Sequence, residues 1–232
     1  MKKCLVLCLA VSLFFVLSAE AQKKAKRKTF PTVGQFTDIS MGSVSGDLAG
    51  TEIYLTQSDT ETYAVVRTAA GDLSDPILVT AKVSGKDMRT IEFSIPSESE
   101  PGGEIKYKGT VTANALVLKE GGSLKRTCGA GGSRTYSNIT VGKESGDYGG
   151  IEVYLINNIG QWFALVQIAE GMIGTPQLVE AKVTGKNEDK VEFTVPNANG
   201  ERKFTGTISS KAGTLTLTES GTRSVLKTKC YR

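Results

Sequence analysis

The sequence predicts an all-β protein made by tandem duplication, each copy an eight-stranded antiparallel meander closed into a small up-and-down barrel. Three observations predict it. The stretch from Phe36 to Pro96 recurs from Tyr136 to Pro196 at a constant offset of 100 without a gap, and 24 of its 61 positions are identical. Apolar and polar residues alternate in short segments parted by Gly, Asp, Asn and Ser, the pattern of strands with one buried face, and helical periodicity is absent. An even number of strands joined by short loops lets the first and last pair antiparallel, which removes exposed edges. Two β-sandwiches are the alternative that the same alternation allows.

Taken in order, the chain opens with Lys2 and Lys3, an apolar run from Cys4 to Leu17, and Ser18-Ala19-Glu20-Ala21. A charged start, a short apolar stretch and an A-x-A site are the parts of a secretory signal, so residues 1–21 are expected to be removed near Ala21. The run is shorter than the roughly 20 residues a spanning helix needs. The expectation is export to a bacterial periplasm or the exterior, with no membrane span. Residues 22–33 form a basic tail carrying Lys23, Lys24, Lys26, Arg27 and Lys28.

The first repeat, 34–128, is expected to hold strands at 36–44, 50–57, 61–69, 76–84, 89–96, 104–112, 115–120 and 123–128. A Gly-rich joint at 129–133 leads to the second repeat, 134–232, with the same eight. Alternation points Ile53, Leu55, Tyr63, Val65, Val79, Val83, Ile91, Phe93, Ile95, Tyr107, Val111, Leu116 and Leu118 inward. It points Glu52, Tyr54, Lys82, Glu92, Lys106 and Lys108 outward. Such large inward residues should fill a barrel of this width, leaving a packed core.

The meander, with Gly109-Thr110-Val111 and Gly206-Thr207-Ile208 opening equivalent strands, resembles the calycin-like barrels, the architecture of lipocalins and avidins. The resemblance covers both repeats and implies small closed barrels. No Gly-x-Trp opens the first strand and the one tryptophan is Trp162, so no family ligand carries over to a residue here.

The chain has no histidine, which excludes Ser-His-Asp and Cys-His hydrolysis and every His-containing zinc site. No catalytic constellation, metal site or cofactor is expected. The repeated carboxylates Glu52 with Glu92 and Glu152 with Glu192 fall on the outward face, where cross-strand pairing with Lys82 and Lys182 is the simpler reading. From Phe30 onward there are 21 basic residues against 23 acidic, so neither repeat reads as a nucleic-acid platform. With Cys4 and Cys8 in the leader, the mature chain keeps Cys128 and Cys230 at equivalent strand ends. They form either a disulfide or two free thiols.

The reading that remains is a secreted, non-enzymatic tandem barrel that engages a protein or cell-envelope polymer through its loops. The alternatives are a small apolar-ligand carrier of calycin type and, third, a carboxylate-dependent hydrolase. Loops after the first, third and fifth strands gather at one barrel end and carry apolar residues where turns are ordinarily polar: Leu48, Leu73, Tyr148, Met172 and Ile173. These either fold in to plug the barrel mouth or form a contact surface.

Overall fold

The computed structural model describes residues 32–43, 46–85, 87–97, 100–129, 133–198 and 200–231. The leader, nearly all of the basic tail and the centre of the Gly-rich joint lie outside the described residues. No helix occurs among those described.

In the first repeat the strands are β1 (Gly34–Thr37), β2 (Ser40–Met41), β3 (Leu48–Gln57), β4 (Thr62–Leu73), β5 (Ile77–Ser84), β6 (Thr90–Pro96), β7 (Glu104–Val111), β8 (Ala115–Leu118) and β9 (Ser123–Thr127). In the second they are β10 (Arg134–Ser137), β11 (Thr140–Val141), β12 (Tyr148–Asn158), β13 (Gln161–Ile173), β14 (Gln177–Thr184), β15 (Lys190–Asn197), β16 (Gly200–Ser209), β17 (Thr214–Glu219) and β18 (Thr222–Thr228). Strand β1 pairs antiparallel with both β9 and β3, and β10 pairs with both β18 and β12. Each repeat is therefore a closed eight-stranded barrel, with β2 or β11 as one extra strand. Closure excludes the sandwich alternative.

The first strand differs from the expected 36–44 because the chain steps sideways at Asp38 and Ile39. Asp38 Oδ1 accepts from the Thr51 amide at 2.6 Å, and in the second barrel Asn138 Oδ1 accepts from Ile151 at 2.8 Å. Gly50 and Gly150 make this possible. A Cβ on either would sit 2.7 Å from the Asp38 or Asn138 side-chain oxygen, and both glycines have positive φ. Strands β3 and β4 also run beyond their expected bounds, so with β2 they form a flap past the barrel rim. The excursion closes where Ser74 N donates to Thr68 O, repeated as Gly174 N to Ile168 O.

Each barrel has its own apolar core. In the first, Phe36, Ile53, Leu55, Ile91, Phe93 and Leu116 are buried, with Tyr107 stacked on Phe93 at 5.1 Å. In the second, Tyr136, Val153, Leu155, Phe193, Leu215 and Leu226 take these roles. The glycines at 109 and 206 have a packing reason: a Cβ at Gly206 would meet Thr216 O at 2.5 Å, and one at Gly109 would meet Val117 O at 2.7 Å.

A third apolar cluster joins the barrels. It contains Tyr54 and Val65 from the first and Tyr154, Ile156, Phe163 and Leu165 from the second. This corrects two expectations. Val65 and Tyr63 do not face the barrel interior, because Ala64 and Val66 do. Tyr54, expected to face solvent, is 1% exposed. The run Tyr63-Ala64-Val65-Val66 is apolar throughout because the strand is buried on both faces, one against its own core and one against the other barrel.

Candidate functional site

The seam between the barrels is built from equivalent residues meeting about a pseudo-two-fold axis. Tyr54 stacks on Tyr154 with ring centroids 4.1 Å apart. Tyr154 donates its hydroxyl to Glu52 at 2.8 Å, and Tyr54 donates reciprocally to Glu152 at 3.1 Å. Arg67 donates to Asn157 O at 2.6 Å, while its counterpart Gln167 donates to Gln57 O at 3.0 Å. Burial, and then the opposing carboxylate, pushes both tyrosine hydroxyls well above their ordinary range.

The two glutamates are neutralised differently. Glu52 accepts from Arg67 at 2.8 Å, and both side chains are almost fully buried. Glu152 faces Gln167 instead, and takes Lys229 at 3.3 Å and the Tyr231 hydroxyl from the end of the chain. The expected pairing of Glu52 with a strand-neighbour lysine is therefore not what forms. Glu52 lies in the seam, and only Glu92 and Glu192 make surface pairs, with Lys108 and Lys203. Glu52 and Glu92 do not converge as a hydrolytic pair would.

Cys128 and Cys230 are joined in a disulfide with Cα atoms 5.2 Å apart. Beside it lies a hollow of about 310 Å³ lined by Gln35, Arg134, Lys229 and Tyr231 among others. Ser133, at the end of the Gly-rich joint, is buried and accepts from Arg67.

The five loop residues do not share one surface. The Asp59 amide donates to Ile173 O at 3.2 Å, the Ile173 amide donates to the Asp59 carboxylate at 2.9 Å, and Asn158 donates to Asp75 at 2.8 Å. The loop end of each barrel is thus beside the opposite end of its partner. Leu48 and Leu73 lie at one extremity of the pair, and Tyr148, Met172 and Ile173 at the other. Leu48, Leu73, Tyr148 and Ile173 are half-buried, whereas Met172 is 66% exposed. Met41 and Val141 on the flap edges are also exposed and were not singled out from sequence.

The loop end of the second barrel opens on a pocket of about 230 Å³. Ile151, Ile168, Phe204 and Leu217 line it, and Glu170, Arg202 and Glu219 stand among them. Arg202 forks onto Glu219 at 2.5 and 2.7 Å, reaches Glu170 at 2.8 Å, and lies over the Phe204 ring. The hydrogen bond from Arg202 holds the Glu219 carboxyl below its usual range. In the first barrel the register places Ile105 where Arg202 stands, since Ile95 faces Ile105 as Val195 faces Arg202. No group of three or more metal-ligating side chains occurs among the described residues. Comparison of the chain with protein-family models, with curated proteins and with solved structures returns no match.

Proposed function

We propose that the chain is an exported, non-enzymatic binding protein that engages a protein or cell-envelope polymer through the loop end of its second barrel. The observation that carries this reading is the 230 Å³ pocket, with its Arg202–Glu219–Glu170 cluster, next to a flap presenting exposed Met172 and Val141. An apolar floor with a charged rim suits one protruding side chain or sugar ring of a larger partner. A calycin-type carrier has less support, because small-molecule sites usually enclose about 300–1,000 Å³ and both barrel interiors hold packed cores. The leader and the disulfide support an oxidising, extracytoplasmic address.

A photo-crosslinking residue at Met172, compared with one at exposed Met41 on the flap of the first barrel, tests the assignment against envelope protein and envelope polymer fractions. A discrete adduct from position 172, competed by unlabelled protein and weakened by Arg202→Ala, is expected. Equal labelling from both positions, or none from 172, refutes it.

A further inference from the structure

The charge totals of the first barrel hide a segregation. Residues 34–128 hold 9 basic side chains against 13 acidic. Yet the outer face of β5–β9 presents Lys82, Lys106, Lys108, Lys119 and Lys125, all exposed, beside Glu92 and Glu104. The strand register arranges them. Lys82 is opposite Glu92, Glu92 is opposite Lys108, and the Lys119 amide bonds to Lys108 O at 2.7 Å. One row across four strands therefore reads Lys, Glu, Lys, Lys, spanning about 14 Å at the ordinary strand spacing. Lys106 stands one pleat from Lys108, about 7 Å along β7.

A parallel row carries hydroxyls at four of its five positions, with Val117 at the other. Ser84 is opposite Thr90, Thr90 opposite Thr110, Thr110 opposite Val117, and Val117 opposite Ser123. The second barrel keeps Lys182 opposite Glu192 but carries Thr205 and Thr218 where the first has Lys108 and Lys119, with Arg223 beyond them. There the face bounds a hollow of about 770 Å³. Only Lys108 forms an ion pair on the first barrel's face among the described residues, with Glu92 at 3.0 Å. Glu92 accounts for Lys82 and Lys108 as cross-strand partners, but Lys108 beside Lys119 sets like charges on adjacent strands, which destabilises a sheet, so folding does not explain the excess of lysine on this face. These strands belong to a closed barrel, so the lysines do not serve to block a free edge either.

We propose that this face binds an anionic polysaccharide laid across β5–β8, its carboxylates or sulfates on the lysine row and its hydroxyls on the Ser/Thr row. The inference goes beyond the loop-end reading and is independent of it, since it uses another surface. Charge complementarity selects a polyanion, and the chemistry between the charges selects the kind. The face exposes no aromatic ring on which a nucleobase could stack, whereas hydroxyl rows match a hydroxyl-rich chain.

The test uses the full mature chain and fluorescein-labelled chondroitin sulfate, read by anisotropy, with neutral dextran and single-stranded DNA as comparisons. Binding to chondroitin sulfate that weakens steeply with salt is expected, with no binding to dextran. The triple variant Lys106→Gln, Lys108→Gln, Lys119→Gln should lose at least tenfold in affinity. A triple of equal charge change off this face, Lys143→Gln, Lys211→Gln, Lys227→Gln on the second barrel, should stay within twofold. If the face triple melts early, Lys119→Gln with Lys125→Gln, which touch no carboxylate, should still lose several-fold. Equal losses in both triples, absent polysaccharide binding, or tighter binding to the DNA each overturn the proposal.

Discussion

Arg67→Ala should be among the most damaging single substitutions in this chain. The guanidinium is 2% exposed and makes three contacts: Glu52 at 2.8 Å, the Asn157 carbonyl of the other barrel at 2.6 Å, and Ser133 Oγ at 3.2 Å. Removing it strands a carboxylate that is 4% exposed, with the Tyr154 hydroxyl left donating to it. Breaking a buried pair from one side costs about 3–5 kcal/mol, a large part of the roughly 5–15 kcal/mol that holds a typical domain together. Arg67→Gln keeps a donor for the Asn157 carbonyl, as Gln167 does for Gln57, and should cost less. Glu52→Gln with Arg67→Gln removes the stranded charge and should recover part of the loss, giving a coupling of about 1–3 kcal/mol. Urea unfolding followed by far-ultraviolet circular dichroism measures all four corners of this cycle. An Arg67→Ala variant within about 1 kcal/mol of the parent, or a strictly additive cycle, would refute the reasoning.

Three further outcomes are expected. Tyr54, Tyr154 and Tyr231 are each held above the ordinary tyrosine range, chiefly by burial. Their folded values exceed their unfolded ones, so their stabilisation is complete below about pH 10 and falls as pH rises beyond it. Absorbance at 295 nm should show these tyrosines ionising only together with loss of the β-sheet signal, and ionisation in the folded state would contradict the buried seam. Closing a loop with a sequence separation of 102 through the disulfide should contribute about 4–5 kcal/mol on the chain-entropy estimate. Cys128→Ser with Cys230→Ser should lower the urea midpoint accordingly, and two titratable thiols in the parent unfolded without reductant would remove the bridge from the structure. Residues 32–128 alone keep a complete barrel core but expose Tyr54 and Val65, so the fragment should fold and self-associate in sedimentation. A fragment without β-sheet signal would show that the repeats cannot fold apart.

The barrels were legible because duplication and alternation both survive in single residues. Ile53 and Leu55, repeated as Val153 and Leu155, keep the same face in both copies. The seam was not legible from alternation, because each repeat read alone has one inside and one outside, which sends Glu52 and Tyr54 to solvent. The signal that marks it is the absence of alternation: Tyr154-Leu155-Ile156 and Phe163-Ala164-Leu165-Val166 are apolar on both faces. The Arg202 cluster left no local trace, since its partners Glu219 and Glu170 lie 17 and 32 residues away on other strands. The same is true of the lysine row, whose members are neighbours only across the register.

The pseudo-two-fold seam has the form of a homodimer contact, and joining its halves in one polypeptide changes what it can become. In a symmetric dimer every position near the axis occurs twice, so an arginine gained on one side is gained on both. Here Arg67 faces the seam in one half and Gln167 in the other, and Glu152 borrows its cation from the chain terminus. Covalent linkage also makes the contact independent of dilution, because the effective concentration of one half around the other is set by the joint and not by how much protein is present. Freed from identity and from mass action, the two mouths have diverged, one lined by Ile105 and the other by Arg202, while the shared Tyr54–Tyr154 stack between them has not.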